Sequence, residues 1–328
     1  MDYELGPDDY EVGDAKDTAN KNNSKNVFGF FKGKNVTFIL IIANISLFLF
    51  ANILQNFDTR LDDVAQELTS YRIVTVRNGR EVVLRFGRAA VFNYAYASSF
   101  PPAIRYENAY YRLLSATYQH GGFLHILINM FSLFLIGRFF ESIYGKKRFF
   151  VIYTISGLSS TLISFISRSS FTFIVSVGAS GSLFGLVGAL LTFTLMNKHR
   201  LDPNFRRSLL NNLIFIIAIN LFIGVSVQGI DNFGHVGGLI GGLAAALLIQ
   251  PIVFLKSKEE TSGMKLIFIF MVFLAAGSII TNYFYYFSGL AFKDVKSVFR
   301  KRANRYGKNK EEIPRVKKKI NINYKDYR

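Results

Sequence analysis

Seven long stretches without a charged side chain constrain this chain more than anything else in it. They are Val36–Leu54, Gly121–Gly137, Phe149–Ile166, Phe171–Met196, Leu209–Val227, Asn232–Leu255 and Leu266–Phe287. Most are close to the roughly 20 residues that cross a hydrocarbon core as a helix. Half of the 328 residues are apolar and the mean hydropathy is +0.25, so length says little about domain count here. The expectation is an all-α polytopic membrane protein. Val36–Leu54 has no small-residue cleavage site after it and is followed by further runs, so it reads as an uncleaved span and not a signal peptide.

The chain has no cysteine, which excludes disulfides, thiolate chemistry and cysteine-ligated zinc. No metal or cofactor is called for. The net charge of +17 lies in membrane-flanking loops and a tail, where it is an orientation signal and an affinity for anionic membrane lipids; a nucleic-acid partner is not expected.

Residues 1–34 open acidic and turn polar and basic, with too few apolar side chains for a core, and are expected to be a disordered cytoplasmic tail. Residues 35–257 form a six-helix core. Within it, 57–119 is a folded loop, where YRIVTVRNGREVVLRFG alternates around Asn78-Gly79 as a hairpin would. A seventh helix is expected over 264–288 and a basic tail over 289–328, with fourteen Lys or Arg against four Asp or Glu from 293 onward. The short loops carrying Lys146, Arg206 and Lys256 are basic, whereas those with Arg168 and Asp231 hold one charge each. The positive-inside tendency then puts the amino terminus in the cytoplasm and 57–119 outside. By helix count the basic tail lies outside as well.

That topology makes the second, fourth and sixth spans run inward together. Asn129, Ser180 and His235 then lie roughly 22–29 Å from the inner ends of their helices, at one depth in the outer half of the membrane. Three of the four histidines, His120, His125 and His235, sit at outer helix ends, where ionisable groups are costly and usually functional. His125 and Asn129 are four apart and share a helix face, and His120 lies further outward. A serine, an imidazole to take its proton and preorganised donors are the parts that acyl transfer needs.

These residues resemble the rhomboid intramembrane serine proteases. The resemblance covers roughly Ala109 to Gln250 and rests on YYRLL (110–114), His120-x4-His125-x3-Asn129, Glu141-x3-Gly145, Gly178-Ala179-Ser180-Gly181 and Gly234-His235-x2-Gly238-x3-Gly242. It implies a rhomboid-like six-helix bundle with one additional C-terminal helix. It also implies Ser180 as nucleophile and His235 as general base, acting as a dyad. Asn129, His125 and the Ser180 N–H would form the oxyanion hole, with His120 organising nearby loops. The substrates implied are transmembrane proteins, cut near the outer face of the membrane of a bacterial cell. Two departures stand out: Phe184 and Tyr111 replace the tyrosine and tryptophan common in relatives, and Phe184 could still stack on His235.

Plainer readings compete at each position. Gly-x-Ser-Gly near the start of a span is more often a close-packing surface than an active site, and only the histidines and Asn129 turn the odds. Gly181, Gly185 and Gly188 are spaced to pack against Gly234, Gly238 and Gly242, which would bring Ser180 to His235. Asp231-Asn232 has the composition of a helix N-cap, so Asp231 is not expected to complete a triad, and Asp231→Asn should keep most activity. Glu141 and Arg112 read as structural hydrogen-bonding residues, His199 as solvated, and Phe215 and Phe222 as lipid-facing. Ser115, Thr117, Gln119 and His120 form a candidate route for water. The competing function is a catalytically silent membrane chaperone that binds transmembrane helices, although such proteins typically lack the serine or the histidine.

Overall fold

A computed structural model describes residues 35–70, 74–77, 80–83, 87–96, 99–168, 175–227, 229–254 and 262–308. The expected disordered tail 1–34, the turn Asn78-Gly79 and the last part of the basic tail, 309–328, lie outside the described residues. Backbone amides have no water to bond to in hydrocarbon, so apolar runs of this length close their hydrogen bonds internally as helices.

Helix α1 (Val36–Phe57) leads into a loop region of short elements: α2 (Arg60–Ser70), strands β1 (Val74–Arg77) and β2 (Arg80–Val83), α3 (Arg88–Ala95), α4 (Pro101–Tyr106), α5 (Arg112–Ser115) and a 3₁₀ turn at Ala116–Tyr118. The expected hairpin is present, with β1 and β2 antiparallel and Val74 paired with Val83, Arg77 with Arg80. There follow α6 (Phe123–Tyr144), α7 (Lys146–Ser167), α8 (Ser180–Met196), α9 (Pro203–Ser226), α10 (Asn232–Phe254), α11 (Ser262–Phe287) and α12 (Leu290–Lys308). Six of these, α1, α6, α7, α9, α10 and α11, are long and apolar enough to cross a membrane, and α8 is a shorter apolar helix.

The fourth run is where the structure departs from the expected span. Helix begins only at Ser180 and lasts 17 residues, about 26 Å. Ahead of it Val175–Val177 is extended, and Ser176 forms a two-way backbone bridge with Ser99. The physical reason is position. Helix α8 is surrounded by protein, with every residue from Gly181 to Leu190 buried, so its length need not match the lipid.

Around α8, the core is built on glycine. Helix α10 packs along both α7 and α8, and the contact with α8 is the one that the glycine spacing predicted. A Cβ on Gly238 would run into the Gly181 carbonyl, one on Gly242 into the Gly185 carbonyl, and one on Gly188 would come within 2.5 Å of the Leu239 carbonyl oxygen. Only hydrogens separate these backbones. On the outside of the bundle, Glu141 accepts hydrogen bonds from the Val36 and Thr37 amides at 3.0 and 3.1 Å and so holds the start of α1 against α6, the structural role expected of it. Phe215 and Phe222 are exposed on α9, and His199 is exposed beyond α8.

A second apolar cluster joins the loop region to the C-terminal segment. Ala291, Phe292, Val295, Val298 and Phe299 form the buried stripe of α12 and pack with Leu61, Leu68, Phe92, Tyr94 and Phe100 of the loop and Tyr286 of α11. Residues 290–308 of the segment read as a basic tail are thus an amphipathic helix. Lys296 pairs with Glu67 at 2.5 Å and Lys301 with Glu107 at 2.8 Å. Because α12 packs on α2, α3 and α4, the tail helix and the loop share one side of the bundle, with the six helices α6 to α11 between them in the chain.

Candidate active site

The sequence leads α8 and α10 to one another through their glycines, and this decides where their first polar residues meet. Ser180 is the first residue of α8 and His235 lies in the first turn of α10. The Ser180 Oγ and His235 Nε2 are 3.1 Å apart. His235 is 9% exposed and its ring is stacked on Phe184, one turn along α8, with centroids 4.3 Å apart and planes at 11°. The remaining ring nitrogen, Nδ1, is buried with no hydrogen-bond partner among the described residues.

Gly178 adopts φ +119, a conformation that favours glycine, and its amide donates to the Ala116 carbonyl at 3.0 Å. A Cβ there would stand 2.7 Å from His125 Nε2 and 3.5 Å from Asn129 Nδ2. The backbone two residues before Ser180 therefore lies against both α6 side chains. Asn129 is buried, and its Nδ2 has no acceptor among the described residues. The first-turn amides of α8, Ser180 included, have no acceptor inside their own helix. The His125 and Asn129 side chains and the first-turn amides of α8 are thus all reached within two residues of Ser180 along the backbone.

His120 packs edge to face with His125 at 5.2 Å. Burial, with His125 adding to it, holds its imidazole neutral, the pKa pushed down to about 3. It is therefore a fixed neutral ring at working pH. Ser115, Thr117, Gln119 and His120, the residues expected to line a route for water, are all buried. Gly181 lies against Ser160 and the Gly234 carbonyl, and Gly238 against Gly181, so both glycines serve the approach of α8 to α7 and α10.

Asp231 does what an N-cap does, accepting from the Gly234 amide at 3.0 Å. It does more than sequence reasoning found. Its Oδ2 also accepts from the Ser164 hydroxyl, from the Ser176 hydroxyl at 2.6 Å and from Arg168 at 3.1 Å. Burial raises its pKa, but the Arg168 charge, the two hydroxyls and the Gly234 amide outweigh that, and the carboxyl ends below its ordinary value. Nothing local in the sequence announces this junction, because its members come from three separate segments. Among the described residues, no three His, Asp or Glu side chains are grouped as a metal would require.

Taken together, fold and site define a class: an integral multi-pass membrane protein whose helices bring a serine and a histidine into hydrogen-bonding contact. Residues 107–252 match the family model of the Rhomboid domain, a match that supports a rhomboid family member. It is 39% identical to the Rhomboid protease GluP of Bacillus subtilis over 172 residues, 52% of this chain and 32% of that protein. It is 42% identical over 147 residues to RHOMBOID-like protein 5 of Arabidopsis thaliana, covering 44% and 46% of the two chains. Similarity to Rhomboid-like protease 5 of Toxoplasma gondii is 30% over 141 residues, 43% of this chain and 16% of that one. The matched region thus spans less than half the length of each of these relatives.

Proposed function

We propose that this protein is an intramembrane serine endopeptidase that hydrolyses peptide bonds in or near the transmembrane helices of other membrane proteins. The observation that carries this reading is the 3.1 Å contact between Ser180 Oγ and His235 Nε2. In the reaction, His235 Nε2 accepts the hydroxyl proton as Ser180 Oγ attacks the carbonyl carbon. The tetrahedral oxyanion takes hydrogen bonds from Asn129 Nδ2, His125 and the Ser180 amide. The protonated His235 then donates to the leaving amine as the C–N bond breaks. Water, activated by the same imidazole, hydrolyses the acyl-serine and restores the hydroxyl.

On this reading the protein lies in a bacterial plasma membrane, and loop charges support a cytoplasmic amino terminus, with the loop region and α12 outside. A single cysteine at Ser297, in a chain with no native cysteine, should then react with an impermeant maleimide in intact cells; reaction only after lysis would invert the orientation. The activity itself is tested with a serine-reactive fluorophosphonate and a transmembrane reporter substrate. Wild type should label and cleave, and Ser180→Ala and His235→Ala should do neither while remaining folded. Cleavage by either variant at the wild-type rate would end the dyad reading.

A further inference from the structure

The segment that delivers Ser180 has little regular structure of its own, so other parts of the protein must set its position. Residues 175–179 form no helix, and Gly178 needs a conformation that favours glycine. Three attachments hold this stretch. Ser176 and Ser99 exchange backbone hydrogen bonds at 2.9 and 3.2 Å, the Gly178 amide donates to Ala116, and the Ser176 hydroxyl donates to Asp231. The third is different in kind, since Asp231 belongs to the start of the helix that carries His235 four residues later.

One carboxylate therefore binds both catalytic elements. Its Oδ1 accepts from Gly234, the neighbour of His235. Its Oδ2 accepts from Ser176, four residues ahead of Ser180, and from Ser164 and Arg168 at the end of α7. Arg168 and Asp231 are 13% and 15% exposed, so the ion pair is largely desolvated and strengthened accordingly. The end of α7 is itself held, because Arg105 donates to the Phe165 and Arg168 carbonyls at 2.9 Å each. Among the described residues, Asp231 makes no hydrogen bond to the imidazole, whose Nδ1 has no partner there.

We propose that Asp231 is a positioning residue that couples the Ser180 segment to the His235 helix, with Arg168, Ser164 and Ser176 completing a junction that sets the serine–histidine separation. This rests on the reading of Ser180 and His235 as the catalytic pair. It also revises the expectation from sequence for Asp231→Asn. The cap to Gly234 survives there, but an amide nitrogen in place of Oδ2 would face the Arg168 guanidinium, and a donor cannot satisfy a donor.

The test uses full-length protein in detergent, with steady-state cleavage of a transmembrane reporter and the rate of fluorophosphonate labelling as parallel readouts. Asp231→Asn should lower kcat by about ten- to a hundredfold with KM unchanged, as expected for displaced rather than missing catalytic groups. Labelling should slow in step. Ser176→Ala removes one arm, leaves the helix cap intact and should lower kcat in the same direction. The double variant should lose less than the product of the two single losses, because both act through one junction. Wild-type kcat and labelling in Asp231→Asn and Ser176→Ala, with Ser180→Ala inactive, would overturn the junction alone. Activity retained by Ser180→Ala would instead overturn the functional reading on which it rests.

Discussion

The Phe184 ring lies parallel to the His235 imidazole, 4.3 Å between centroids, and so fixes the plane in which Nε2 meets the Ser180 hydroxyl. Relatives that carry a tyrosine there would present the same face. Ring pairs contribute about 0.5–1.5 kcal/mol beyond buried area, so Phe184→Leu should lower kcat by about two- to tenfold. Phe184→Tyr should cleave at close to the wild-type rate. Steady-state kinetics of the two variants checks this, and equal losses in both would show that the stack has no part in the reaction.

Asn129 Nδ2 is a buried donor with no acceptor among the described residues, which suits a group that finds its partner only when an oxyanion forms. Asn129→Ala should lower kcat by about 10²–10³-fold with little change in KM, as for loss of one oxyanion donor. Turnover measured over a range of substrate concentrations separates the two effects. An unchanged kcat would remove Asn129 from the site.

Gly238 and Gly181 meet backbone to backbone, so no side-chain rotation can make room for a methyl group. Gly238→Ala should destabilise the bundle by on the order of 1–3 kcal/mol or more and abolish cleavage by parting Ser180 from His235. Gly277→Ala on α11 is the control, because a Cβ there meets nothing within 4 Å. Thermal unfolding in detergent should separate the pair, with only Gly238→Ala melting early.

Asp294 lies on α12 beside the buried stripe, and burial pushes its carboxyl up to about 6, with Arg112 and Lys301 opposing and Glu107 adding to the rise. The docked helix therefore binds this proton more tightly than the undocked one. Its contribution to docking is complete below the ordinary value of 3.8 and is lost as pH rises through about 6. Asp294→Asn, which keeps the neutral form at all pH values, should raise the melting midpoint above wild type at pH 7 and not at pH 4. A constant difference between the two proteins across that range would show that the carboxyl does not titrate between docked and undocked forms.

Much of this molecule is legible in its sequence because the strongest signals are local. Uncharged runs of spanning length give the helices, Asn78-Gly79 marks the hairpin whose strands pair as expected, and the glycine spacing of α8 and α10 foretells their contact. The composition Asp231-Asn232 gives the N-cap. What the periodicity misjudged is α8: an apolar run looks the same whether lipid or protein surrounds it, so Phe171–Met196 read as a full span although helix starts only at Ser180.

The sequence by itself determined that the chain is helical with runs of membrane-spanning length, and it led to the expectation that Asn129, Ser180 and His235 share one depth, because hydropathy, helical rise and loop charge are properties of short segments. Tertiary structure alone decided that Asp231 joins Ser164, Arg168 and Ser176, and that the apolar stripe of α12 closes over the loop region. Those partners lie 55 to 67 residues away from Asp231, and 194 separate Lys301 of α12 from its partner Glu107. Contacts at such separations depend on how several helices pack at once, and no stretch of chain records that packing on its own.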